Sequence, residues 1–184
     1  KVGLRDEDLF SSVWKSAKNR WLWLAVNLGT AFFASRVIGL FEHSIEKLVA
    51  LAALMPIVAA IAGNSGNQTV ALIVRALAFE EINKSNAKGL LRKELSIALV
   101  NGVLWGSVAG TFAWLLYGNI ALGFVMLGAM LLNLIVGAGV GMLVPLFLQK
   151  MGRDPAIGSS VLLTFSTDSM GFLIFLGLAT VFLV

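Results

Sequence analysis

Apolar residues dominate five long stretches of the chain, roughly 21–41, 47–79, 94–117, 121–148 and 156–183, and charged residues crowd the segments between them. None of the five has the short apolar–polar alternation of a barrel strand. Each exceeds the ~20 residues that a helix needs to cross ~30 Å of hydrocarbon. In lipid every backbone N–H and C=O finds its partner inside the protein, so only helices and closed barrels span a bilayer. The pattern predicts an all-α membrane protein with five transmembrane helices. The second stretch is longer than one straight crossing requires, and it carries Pro56 and then Gly63-Asn64-Ser65-Gly66-Asn67-Gln68. It reads as a crossing helix with an irregular or polar-lined part, tolerable only where protein or a watery cavity covers it. Residues 1–20, with Leu9, Phe10, Val13 and Trp14 among charges, read as an amphipathic lead-in to a membrane domain at 21–184. That lead-in is expected either to lie on the membrane surface or to connect to a cytoplasmic domain. The chain opens on Lys1 rather than Met, as expected of a piece excised from a longer protein.

Composition agrees with lipid as the solvent. Of 184 residues 58% are hydrophobic and 13% charged, with a mean hydropathy of +0.89; soluble domains run about 45–50% apolar and about 25% charged. Without cysteine, disulfides, thiol catalysis and Cys-ligated metals are excluded, and His43 alone makes a His-based zinc site improbable. A pI near 9.7 could suggest nucleic acid. The basic residues sit at the ends of the apolar stretches instead, which suits membrane orientation and speaks against a nucleic-acid partner. Lys1, Arg5, Lys15, Lys18 and Arg20 precede the first stretch, Lys84, Lys88, Arg92 and Lys93 follow the second, and Lys150 and Arg153 follow the fourth. The other side has Lys47 and, near the end of the first stretch, Arg36. The positive-inside rule places the N-terminus in the cytoplasm and the C-terminus outside, in a multi-pass protein of the cell's inner (plasma) membrane.

Nine of the ten acidic residues fall in the lead-in, in loops or at the ends of the apolar stretches; only Asp168 falls near the middle of one. An ionised Asp at the bilayer centre costs about 2.5–3.5 kcal/mol even on the lenient insertion scale. A bound cation, a basic partner or protonation can offset this. No Lys or Arg stands at matching depth, so a cation in a watery path is the best explanation. Ser160, Thr164 and Asp168 are four apart and share one helical face, which offers oxygens at successive depths. The bland alternative is that these hydroxyls bond back to their own helix. The two Asn and one Gln of the 63–68 run supply amide and backbone oxygens suited to Mg²⁺ or Ca²⁺. Asn101 and Asn133 read as interhelical glue, and Glu42, His43 and Glu46 as an outer, solvated loop. Gly102, Gly106 and Gly110, and likewise Gly137 and Gly141, recur every four residues, a signal for close helix packing. No nucleophile–base pair lies in the membrane, so no enzyme is expected.

The run from Met55-Pro56 through Gly63-Asn64-Ser65-Gly66-Asn67-Gln68 to Val74-Arg75-Ala76-Leu77-Ala78 resembles the signature of MgtE-type magnesium channels. The Asp154-Pro155-Ala156 turn, and Thr167-Asp168 followed by Gly171-Phe172-Leu173-Ile174, resemble their last helix. The resemblance implies a homodimer with five crossing helices per subunit and one pore on the two-fold axis, lined by the second and fifth crossing helices. It implies that Asp168 of both subunits holds a hydrated Mg²⁺, the transported and bound ion, and that Thr164 offers a backbone carbonyl. Ala60, Gly63 and Asn67 would face the ion's waters, with Asn64 also lining the pore. Ser160 stands where relatives often have Asn, and Ala60 also departs from the expected pattern. Full-length relatives carry cytoplasmic regulatory domains that close the pore when magnesium is plentiful; none is present here beyond the connector's end in residues 1–20. One Asp per chain also suits a two-fold axis on electrostatic grounds, because Mg²⁺ carries two charges and the symmetry mate supplies the second carboxylate. The leading expectation is a magnesium channel. Its alternatives are a proton- or ion-coupled divalent cation carrier of broader selectivity, taking Co²⁺ and Mn²⁺, and a membrane scaffold with a structural Asp168.

Overall fold

The computed structural model describes residues 12–82 and 86–184, and among these all the regular structure is helical. The helices are α1 (Val13–Gly39), α2 (Glu42–Lys47), α3 (Ala50–Ala78), α4 (Ala87–Tyr117), α5 (Ile120–Lys150) and α6 (Pro155–Leu183). All but α2 are long and apolar enough to cross a membrane, as the pattern predicts. At 27 to 31 residues each is about 40–47 Å long, more than the hydrocarbon alone requires.

Three boundaries differ from expectation. First, residues 13–20 are continuous with α1 rather than separate from it, and the rest of the lead-in lies outside the described residues. Second, Glu42, His43 and Glu46, expected in a loop, form the short helix α2, and the next helix starts at Ala50 rather than at residue 47. The extended backbone of Leu48 (φ −137°, ψ 83°) separates the short α2 from α3. Helix α3 then runs unbroken through the 63–68 run, with Pro56 in its second turn, so the run is polar-lined and not irregular. Third, α4 begins at Ala87 instead of at residue 94. The charges of its first two turns mark the end of the apolar stretch but not of the helix, because Leu90 and Leu91 pack against the buried cluster of Ile73, Leu77 and Met142.

Helix α5 is the centre of the bundle and packs against α4, α6 and α3; α6 packs in addition against α3 and α1. Glycines set the distances. Gly106 and Gly110 of α4 sit against the backbone of Leu127 and Gly123 of α5, and Gly137 and Gly141 of α5 against the carbonyls of Ala62 and Gly66 of α3. A side chain at any of these would strike backbone, so helical spacing of small residues becomes close approach of helix axes. Gly118, at φ +66°, ends α4, and Asn119 caps α5 by accepting from the N–H groups of Ala121 and Leu122. Asp154 caps α6 in the same way through Ala156 N–H, with Pro155 in the first turn, where its missing N–H costs nothing.

Helix α1 touches the bundle through α6, with Phe33 edge-on to Phe165, and buries only Ala34. Its Leu22, Leu28 and Phe32, like Val100, Leu104 and Leu115 of α4, are exposed. So extensive an apolar surface is one that lipid covers.

Candidate functional site

Several polar residues of the membrane region meet where α3 packs on α6. The first link is between Asn67 and Ser160. The Ser160 hydroxyl donates to Asn67 Oδ1 at 2.9 Å, and Asn67 Nδ2 donates to the Gly63 carbonyl at 3.0 Å. Ser160 therefore does not bond back to its own helix, whereas Ser166 and Thr167 do, to the carbonyls of Leu162 and Leu163. Thr167 also approaches the Thr164 carbonyl, at 3.3 Å, and its hydroxyl oxygen lies where a Cβ on Gly63 would touch it. Helix α3 at Gly63 thus lies beside α6 at the level of Thr167.

Asn133 ties the two helices to α5. Fully buried, its Nδ2 donates to the Val58 carbonyl of α3 (3.2 Å) and the Thr167 carbonyl of α6 (3.0 Å). The second of these carbonyls belongs to the residue just before Asp168, and Gly171 leaves the space that the Asn133 amide occupies. The interhelical role expected of Asn133 is what the geometry shows. Asn133→Ala should lower the unfolding free energy by about 1–2 kcal/mol, the scale of two interhelical hydrogen bonds in a membrane protein. A shifted thermal midpoint in detergent would register it, and a midpoint equal to that of the parent chain would contradict it.

Asp168 is half-buried, on the face it shares with Ser160 and Thr164. Thirteen residues beyond Pro155, it stands about 20 Å along a helix of about 43 Å, near mid-membrane. Among the described residues no group of three His, Asp or Glu side chains converges anywhere, so one chain alone does not assemble an acidic metal cage. Of the expected path residues, the structure brings Gly63, Asn67 and Ser160 together by hydrogen bonds, while the Thr164 carbonyl meets Thr167 of its own helix. Ala60 and Asn64 it does not: both are exposed on the outer face of α3, with Gln68 one turn further on.

One acidic residue lies where sequence reasoning did not place it. Glu94, expected at a helix end, is seven residues inside α4 and 6% exposed, and its Oε2 accepts a hydrogen bond from Thr69 Oγ1 of α3 at 2.9 Å. The signal was in the spacing: Leu91, Glu94, Ala98 and Gly102 follow a helical period that puts Glu94 on the buried face.

Residues 55–178, from just before Pro56 to beyond Asp168, match the MgtE family, described as a divalent cation transporter. The chain belongs to the MgtE family. It is similar to the magnesium transporter MgtE of Bacillus subtilis, 32% identical over 179 residues covering 97% of this chain and 40% of that protein. It is also similar to the magnesium transporter MgtE of Enterococcus faecalis, 30% identical over 99% of this chain and 40% of the relative. The magnesium transporter MgtE of Thermus thermophilus is 30% identical over 88% of this chain and 36% of its own length. The chain thus spans about two fifths of the MgtE proteins it matches, and the part it spans is the bundle of crossing helices described above.

Proposed function

We propose that this chain is the pore domain of a magnesium channel that works as a homodimer, with the path on the two-fold axis between the two copies' α3 and α6. The observation that carries this is Asp168: a carboxylate near mid-membrane, half-buried on a face with Ser160 and Thr164, in a chain whose relatives are named magnesium transporters. Mg²⁺ sheds water reluctantly and favours six oxygens in octahedral array. Two Asp168 carboxylates would balance the ion's charge while its waters bond to the Thr164 carbonyls and to the amide and hydroxyl of Asn67 and Ser160. The exposed α3 face with Ala60 and Asn64 is then covered by the partner copy. In this reading the path's wall is only half built within one chain, and dimerisation completes it.

The distribution of basic residues supports a cytoplasmic N-terminus and an external C-terminus. The ends of α3 and α5 and the starts of α1, α4 and α6 share one side, which holds Lys15, Lys18, Arg75, Lys88, Lys150 and Arg153. Regulatory domains on that side are the partners proposed for the portion of MgtE proteins that this chain does not span.

Because the chain has no cysteine, a single one can report the dimer. Asn64→Cys, on the exposed face of α3, should cross-link to its partner under mild oxidation in liposomes, giving a species of doubled mass; a chain that stays monomeric would contradict the two-fold path. Passive conduction also requires that Mg²⁺ uptake into liposomes persist when the pH gradient is collapsed with a protonophore. Uptake that stops on collapse would favour the coupled carrier.

A further inference from the structure

We propose that Glu94 is a positioning residue: through Thr69 it fixes the rotation of the polar segment of α3, and with it the Asn67–Ser160 contact of the cation path. The inference rests on the reading of α3 and α6 as walls of that path.

Both partners are nearly inaccessible, Glu94 and Thr69 each being 6% exposed. Acidic side chains inside a membrane bundle are expensive, so one that is not in the path itself is retained for a task. A hydroxyl has a single proton to give. Thr69 Oγ1 lies 2.9 Å from Glu94 Oε2 and 3.5 Å from the Ser65 carbonyl of its own helix. The shorter contact takes the proton, since a hydroxyl–oxygen bond weakens beyond about 3 Å. Thr69 is therefore tied to a neighbouring helix and not to its own.

The place of this tie gives it its effect. Helices α3 and α4 otherwise meet through the apolar contact of Leu90 and Leu91 with Ile73 and Leu77, so the pair is a polar link added to that packing. Between Gly63 and Thr69 the α3 backbone is held on three sides. Gly66 lies against the backbone of Gly137 and Gly141 in α5, Asn67 is bonded to Ser160 in α6, and Thr69 is bonded to Glu94 in α4. Helical geometry puts Asn67 and Thr69 about 200° apart around the axis. A small rotation that follows loss of the anchor at Thr69 swings Asn67 the opposite way, off Ser160. Close packing of α3 on α5 sets its distance, and the polar ties add to it in fixing rotation.

The test uses the purified chain in liposomes, with Mg²⁺ and Co²⁺ flux measured per folded molecule. Glu94→Ala and Thr69→Val should each lower Mg²⁺ flux about tenfold, the scale of one buried hydrogen bond whose partner is left unsatisfied, and shift the Mg²⁺:Co²⁺ flux ratio. The double variant should be no worse than the poorer single one, because both remove one interaction. Glu94→Gln, which keeps an acceptor oxygen, should recover most of the flux. A role in stability alone would lower the thermal midpoint and leave the flux ratio unchanged. If Glu94→Ala fails to fold, Thr69→Val, which trades a hydroxyl for a methyl, carries the test by itself. Wild-type flux and flux ratio in the variants that fold, or additive losses in the double variant, would overturn the inference. Asp168→Asn in the same assay separates the two levels. Lost flux there with normal Glu94 and Thr69 variants overturns only the positioning role, whereas retained flux in Asp168→Asn overturns the path itself.

Discussion

Asp168→Ala, reconstituted in liposomes, should pass Mg²⁺ at least about a hundredfold more slowly than the parent chain. Two charges on the ion and one on a carboxylate about 4–5 Å away attract by several kcal/mol even at an effective dielectric of about 20, and each 1.4 kcal/mol is a factor of ten. In a dimer the substitution removes both carboxylates at once, and the ion then meets hydrocarbon-depth surroundings with hydroxyls and amides alone. Asp168→Asn should fail almost as badly, because it keeps the shape of the side chain but not its charge. Folding should survive both changes, since the tie that holds α6 to α5 at this level runs through the Thr167 carbonyl and Asn133 rather than through the Asp168 carboxylate. A fluorescent Mg²⁺ indicator trapped in the liposomes reads the flux, and the elution profile in detergent reads the fold.

A second large effect is expected from Gly141→Leu, which acts through packing alone. A Cβ at 141 would stand 2.7 Å from the Gly66 carbonyl oxygen and 3.1 Å from Thr69 Cβ, and a helix carbonyl cannot turn aside. The leucine therefore has to push α3 away from α5, carrying Asn67 and the Thr69–Glu94 tie with it. Overpacking of this kind costs about 1–3 kcal/mol, and the helix that moves is one wall of the proposed path. Both the thermal midpoint and Mg²⁺ flux should fall. Gly139→Leu is the natural control: two residues away on the same helix, a Cβ there meets nothing within 4 Å. It should leave both measurements near those of the parent chain, and equal damage at the two positions would contradict the packing argument.

The crossing helices were legible because a 20-residue apolar run has few structural alternatives in a chain so poor in charge. The N-terminal turns of α4 were not. Hydropathy registers Lys88, Arg92 and Lys93 as the end of a membrane stretch, but helix formation depends on Leu90 and Leu91 finding the Ile73–Met142 cluster, a tertiary contact. Misplacing that boundary hid Glu94, which looked like a surface residue at a helix end. The 63–68 run posed the opposite problem: its glycines and amides left an irregular or a polar-lined segment open, and α3 continues as helix, with Gly66 serving close approach to Gly137 of α5 and Leu163 of α6 rather than an unusual backbone. Helical spacing put Ser160, Thr164 and Asp168 on one face, and the glycine repeats pointed to close contact. The bond between Ser160 and Asn67 joins residues 93 apart, which no local pattern reveals. Asn133 could be read as glue from its isolation among apolar residues, but not which two carbonyls it would join.

The proposed magnesium path stands or falls on two copies of Asp168 sharing one hydrated divalent ion. Crystals of the chain grown in lipid and soaked in Mn²⁺, which scatters anomalously and resembles Mg²⁺ in its oxygen ligands, test this directly. A single anomalous peak is expected on the two-fold axis between the paired Asp168 side chains, at a distance that leaves room for the ion's waters. Asp168 side chains that face lipid, or lie apart with no peak between them, would refute the shared site.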